Sequence, residues 1–218
     1  METKMAYRSP KLNRDVIKYI AMLTMLLNHI SQIFMKSGYF LSELFLNIGY
    51  FTAITMCYFL VEGFQYTHSK RNYAIRLLIF ALLSEIPYCM AFTTNGVLEF
   101  QGLNMLFTLL ICFIILIVSD KVSNKFLKGI CILGLIVLSL FCDWAVLAPI
   151  FTLLFRWSRG SRDKIKYTFI ISMLLFGLFN FAGGIGRFSL GTNISYALGS
   201  MSGIALAGIV ILYFYNGN

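Results

Sequence analysis

Two residues bring acid–base chemistry into apolar surroundings. His29 lies in the stretch MLTMLLNHIS (22–31), and Glu85 lies in FALLSEIPYCMAF (80–92). An imidazole beside a carboxylate suits general base work, in which the histidine takes a proton from a nucleophile while the carboxylate orients it. The same pair suits a proton relay in a transporter. The residues alone leave these two chemistries open, together with a third reading in which both groups are hydrogen-bonded structural elements. Ionisable groups inside a bilayer are costly and usually face the bundle interior or a water-filled cavity. Pro87 follows Glu85 by two residues and removes a helical hydrogen bond, so a broken, polar point is expected there.

The elements that must position these groups follow from composition. The 218 residues are 59% hydrophobic and only 12% charged, against about 25% charged in ordinary soluble domains. Apolar runs near 20 residues recur, each long enough for a bilayer core of roughly 30 Å. The spans read as 16–36, 44–66, 73–94, 103–119, 127–142, 145–158, 166–184 and 194–215, eight in all. The expected fold is all-α, a polytopic transmembrane bundle in one domain over 1–218, with no internal repeat. Residues 1–15 form a polar, basic head with no cleavage signal after it, which reads as a retained first helix.

Charge tests the spans. Sixteen of the eighteen Lys and Arg residues fall in alternate connections, and the others hold only Lys36 and Arg187. By the positive-inside rule both termini face the cytoplasm, as an even span count requires, in the inner or plasma membrane. The net charge of +9 is then mostly orientation signal. Nucleic-acid binding is excluded as a reading, since no soluble domain presents a groove, and lipids are the expected surroundings. The five cysteines lie in or at the ends of apolar spans without a C-x-x-C pair, and read as small buried hydrophobes. His29 and His68 lack paired-ligand spacing, so no metal site is expected.

His29 lies about 20 Å from the cytoplasmic start of its helix, beyond the midplane. Thr24, Asn28, Ser31 and Gln32 share its neighbourhood as a polar stripe. Asn104 opens the fourth span, Asp143 sits in the turn of FCDWAVLAP, and Arg187 follows FAGGIG. All of these fall in the outer half or the outer connections. Glu62 lies near the cytoplasmic end of the second span, where it could pair with a basic residue. Lys70, Arg71 and Arg76 follow it as orientation charges or as an anion site for a nucleotide-like phosphate. Gly199, Gly203 and Ala207 recur at four-residue spacing on the last helix, which suits close packing or a homo-oligomer face.

Along nearly its whole length the sequence resembles the TraX family of membrane proteins, named for a conjugative-plasmid protein that acetylates pilin. The resemblance is carried by IKYIAMLTMLLNHI, by the long block YFLVEGFQYTHSKRNYAIRLLIFALLSEIPYCMAF, and by NMLFTLL, CDWAVLAPI and YFYNG, in the family's order. The family usually has an Asp where this chain has Asn28, and an amide cannot stabilise an imidazolium electrostatically. The resemblance implies an acyltransferase using acetyl-CoA, with His29 as base. The expected arrangement has Glu85 and Asp143 in the catalytic set and Lys70, Arg71 and Arg76 toward the donor's phosphates. Asn28, Glu62, Asn104 and Arg187 would line the acceptor's path. The acceptor would present an amine or hydroxyl at the membrane or its outer face, on a pilin-like peptide or a glycan. A proton-coupled permease and a non-catalytic assembly partner are the other classes.

Overall fold

The computed structural model describes residues 12–93 and 100–217. Lys4, Arg8 and Lys11 of the basic head lie outside the described residues. Among the described residues the chain is all helical, with two isolated backbone bridges in place of any sheet. The helices are α1 (Arg14–Phe34), α2 (Phe40–Gly49), α3 (Phe51–Tyr66), α4 (Lys70–Phe92), α5 (Met105–Lys121), α6 (Lys125–Leu138), α7 (Leu147–Ser158), α8 (Arg162–Gly184) and α9 (Leu190–Ile209). A 3₁₀ turn, Ser139–Phe141, follows α6, and a π-helical turn, Val210–Phe214, extends α9. Five of these segments are long and apolar enough to cross a membrane: Arg14–Phe34, Phe40–Tyr66 (α2 and α3 together), Lys70–Phe92, Arg162–Gly184 and Leu190–Phe214. The chain is a multi-pass membrane protein whose eight expected spans map onto these helices, the second being divided at Tyr50.

Helix starts are set locally. The side chains of Asn13, Ser69, Asn104, Asn124, Ser161 and Ser189 each accept a hydrogen bond from a first-turn backbone N–H. Such caps satisfy donors that have no partner within the helix.

The break at Tyr50 comes from packing rather than from a polar interruption. Gly49 lies directly against Asn28 of α1, and Gly203 of α9 lies against the Asn47 carbonyl and the backbone of Phe51. A Cβ at either glycine would collide with those atoms. Gly203 and Ala207 are buried against the rest of the chain, so this small-residue face is used for packing inside the bundle.

At the centre stands α3, with Phe51, Ile54, Cys57, Leu60 and Phe64 all buried, surrounded by α1, α5, α7 and α9. The outermost helix is α6, which has no buried residue. Also peripheral is α4, which rests on α5 through Tyr73 stacked on Phe113 (4.7 Å) and through buried Ala81 and Cys89. Its remaining surface, including Leu82, Leu83, Ile86 and Met90, is exposed apolar area suited to lipid.

The basic residues gather at one end. Arg14 pairs with Glu62 (3.0 Å), Lys70 with Asp120 (3.3 Å) and Arg156 with Asp120 (2.6 Å). Leu12 and Tyr215 are bridged there, with Leu12 N donating to Phe214 O at 3.1 Å and Asn216 N to Leu12 O at 3.0 Å. Both ends of the described chain therefore meet at this basic end.

Candidate active site

The polar stripe of α1 is a packing seam. Thr24 and Thr52 hydroxyls meet at 2.9 Å and both reach the Ala21 carbonyl. Asn28 Nδ2 donates to Leu46 O (2.9 Å), Gln32 donates to Asn28 Oδ1, and Ser31 Oγ donates to Ser42 O (2.8 Å). Asn28 is thus a linker between α1 and α2, and its donor is what the Leu46 carbonyl requires. A carboxylate in its place would bring an acceptor to an acceptor.

His29 is one residue further on and faces a different neighbour. Successive side chains on a helix differ by about 100°, so His29 leaves the seam and turns toward α4. Its ring meets Phe92 edge-on, with centroids 5.4 Å apart. Its Nδ1 is buried and has no hydrogen-bond partner. Among the described residues it is the one ring nitrogen in a set of buried side-chain atoms without a partner, the others being the hydroxyls of Thr55, Ser119, Thr152 and Ser172.

Glu85 is held by α5 instead of by His29. Its Oε2 accepts from Asn104 N (3.0 Å) and Asn104 Nδ2 (2.7 Å), and its Oε1 accepts a weak bond from Cys89 Sγ (3.6 Å). Asn104 also donates to Ala81 O (2.9 Å) and accepts from Leu106 N (2.9 Å). The carboxylate and the amide together close the N-terminus of α5, which favours negative charge. Glu85 precedes Phe92 by seven residues, about 10 Å along the axis. The expected break at Pro87 is absent: α4 continues through it to Phe92.

Asp143 is the residue whose surroundings depart most from a solvated loop. Its backbone N donates to Leu103 O (2.7 Å), its carbonyl accepts from the Thr108 hydroxyl, and its Oδ1 accepts from Trp144 N (2.9 Å). Burial pushes its carboxyl above the ordinary range, while the Trp144 N–H pulls in the opposite direction. The flanking residues Trp144 and Val146 have φ of 56° and 63°, a costly left-handed conformation for side chains of this bulk. The turn is held there by Trp144 stacked on Phe176 (5.0 Å) and by Val146 N donating to Ser139 Oγ (3.0 Å). Asp143 is bonded to Leu103 and Glu85 to the next residue, Asn104, so the two carboxylates share the end of the bundle opposite the basic residues, with Tyr88 one turn after Glu85. Arg187 is exposed after α8, and among the described residues no ion pair links it to Glu85 or Asp143.

At the basic end, Glu62 accepts from Arg14 Nε and, with both carboxylate oxygens, from Tyr215 OH (2.9 Å each). Lys70 is engaged by Asp120 and lies 3.9 Å from the centroid of the Phe64 ring. Arg71 and Arg76 are exposed at the start of α4. The concave surfaces at this end are lined elsewhere, by Tyr58, Glu62, Tyr66, Arg159, Arg162 and Tyr215 among others. Sequence reading singled out Glu62 but not Tyr58, Tyr215 or Arg159. The partners lie 48 and 153 residues from Glu62, and the available signal was a carboxylate at the basic margin of an apolar run. Among the described residues no cluster of His, Cys, Asp and Glu could hold a metal ion.

Fold and polar groups together define a polytopic membrane protein with a half-buried imidazole and two carboxylates toward one end and a basic cleft at the other. A family model described as TraX protein matches residues 13–215. The chain belongs to the TraX family. It is also similar to the probable fimbrial assembly protein FimC, serogroup H1, of Dichelobacter nodosus: 32% identity over 164 residues, covering 72% of this chain and 67% of that protein. No solved structure gives a significant match.

Proposed function

We propose that the chain is a membrane-embedded acyltransferase that moves the acetyl group of acetyl-CoA to an amine or hydroxyl of an envelope-associated acceptor. The observation that carries this reading is the unpartnered, buried Nδ1 of His29 in a member of the TraX family. An imidazole nitrogen left without a partner, close to the acceptor side of the apolar layer, suits a general base. His29 takes the proton of the attacking N–H or O–H. The nitrogen or oxygen bonds to the acetyl carbon, the thioester C–S bond breaks, and the imidazolium returns a proton to the leaving thiolate.

In this reading the basic end is cytoplasmic, following the positive-inside rule, and the chain lies in the inner or plasma membrane. The acceptor reaches His29 from the opposite side, past Glu85, Asp143 and Tyr88. Glu85 positions α4 against α5, and through Phe92 the wall of the histidine site, without touching the histidine. Asp143 is the carboxyl available to meet the acceptor. The relative's name, a probable fimbrial assembly protein, supports a pilin-like peptide as acceptor over a glycan. Purified protein supplied with labelled acetyl-CoA and membrane extract should transfer label to a discrete acceptor. Absence of any protein-dependent transfer contradicts the reading.

The engagement of Glu85 as a structural clasp favours one other reading, a non-catalytic assembly partner. That reading gains if the folded protein binds no acetyl-CoA and yet co-purifies with pilus subunits.

A further inference from the structure

The basic end carries two adjoining clefts, of about 130 Å³ and 560 Å³, that share Tyr58, Glu62, Tyr66 and Ile165. The larger lies within the usual range for small-molecule sites. Its walls come from three parts of the chain: the end of α3, the start of α8, and the segment after α9. The π-helical turn Val210–Phe214 brings Tyr213 and Tyr215 to this surface; interruptions of this kind recur at functional sites. Gly160, at φ +80°, makes the tight turn between α7 and α8 that sets Arg159 at the rim. Arg162 donates to the Leu212 carbonyl across the cleft.

The charge of the cleft is positive despite Glu62. That carboxylate is neutralised by Arg14 and takes both its oxygens to Tyr215. Arg159 is exposed and carries no ion pair among the described residues. Tyr66 and Tyr213 are 71% and 61% exposed. Exposed aromatic rings beside guanidinium groups suit a ligand with a planar base and phosphates, since arginine binds phosphate through paired N–H donors and rings stack on one another.

We propose that this cleft seats the adenosine 3′,5′-bisphosphate end of the acyl donor, with Arg159 and Arg162 toward the phosphates and the tyrosines toward the adenine. The ligand's identity rests on the acyltransferase reading; the place does not. The donor's nucleotide end is thereby assigned to the α3–α8 side, away from Lys70, Arg71 and Arg76.

Calorimetric titration of the purified full chain in detergent with coenzyme A tests this. Wild type binds coenzyme A, adenosine 3′,5′-bisphosphate competes and pantetheine does not. Arg159→Ala, an exposed change that leaves the melting temperature in place, weakens coenzyme A binding about tenfold, the loss expected for one charge-assisted contact. Tyr66→Ala weakens it as well. If wild type binds coenzyme A and Arg159→Ala and Tyr66→Ala bind equally well, or if only Arg71→Ala and Arg76→Ala weaken binding, the cleft assignment is overturned and the acyltransferase reading stands. If the folded wild type binds neither coenzyme A nor acetyl-CoA, both are overturned.

Discussion

Asn104→Ala is the sharpest structural perturbation. Its side chain makes three hydrogen bonds, to Glu85 Oε2 (2.7 Å), to Ala81 O (2.9 Å) and from Leu106 N (2.9 Å), and it is 5% exposed. Loss of the helix cap costs about 1 kcal/mol. Interhelical hydrogen bonds in membrane proteins contribute roughly 0.6 kcal/mol on average and up to about 1.7. The substitution also leaves Glu85, which is half-buried, with one backbone N–H and a weak thiol donor, and this under-pairing adds about 1 kcal/mol. Together these give a loss of about 2–4 kcal/mol, readable as reversible unfolding in mixed micelles titrated with denaturing detergent. Asn104→Asp keeps the capping oxygen but opposes Glu85 with a second carboxylate, so its deficit should shrink as pH falls. A double-mutant cycle with Glu85→Ala should return a coupling of at least about 1 kcal/mol, as expected for groups in direct contact. A loss below about 0.5 kcal/mol for Asn104→Ala, or no coupling, refutes the assignment of Glu85 as the clasp of α5.

Other outcomes follow from single sites. Asn28→Asp removes the donor to Leu46 O and should cost about 1–3 kcal/mol at neutral pH, partly recovered in acid where the carboxyl can donate; pH-resolved melting curves check it. Gly203→Val places a branched side chain against the Asn47 carbonyl and Phe51 N, and should lower the folded yield and melting temperature sharply, while Gly134→Ala, where a Cβ meets open space, should not. The raised carboxyl of Asp143 adds stability that is complete below its unfolded value near about 4 and is lost as pH rises through its folded value. Asp143→Asn should therefore flatten that part of the stability–pH curve in detergent, and an unchanged slope contradicts the burial of this carboxyl.

Much of the architecture was legible because a bilayer leaves little freedom: apolar run length and alternating basic connections locate the spans before any contact is known. The division of the second span was not legible, since 44–66 has no proline and no charge before Glu62. Its cause is the close approach of Gly49 to Asn28 and of Gly203 to Asn47, between residues far apart in the chain. The stripe on α1 could be read from helical spacing, yet spacing does not say which neighbour each face meets. Asn28 turned to α2 and His29 to α4, so two adjacent polar residues have unrelated partners. The half-buried position of Asp143 depends on Leu103 and Trp144 holding a turn with two positive φ values, and nothing in FCDWAVLAP announces it over an ordinary solvated loop. Glu62 advertised its need for a cation, but Arg14 and Tyr215 become its partners only when both ends of the described chain meet.

The central claim concerns His29 as the base for acetyl transfer. The most direct measurement compares the rate of labelled acetyl transfer by wild type and by His29→Ala and His29→Gln at equal amounts of folded protein. General base catalysis contributes roughly 10²–10⁴-fold, so both variants should lose at least about a hundredfold in transfer while retaining coenzyme A binding and the wild-type melting temperature to within a few degrees. Transfer by His29→Ala at the wild-type rate contradicts the account.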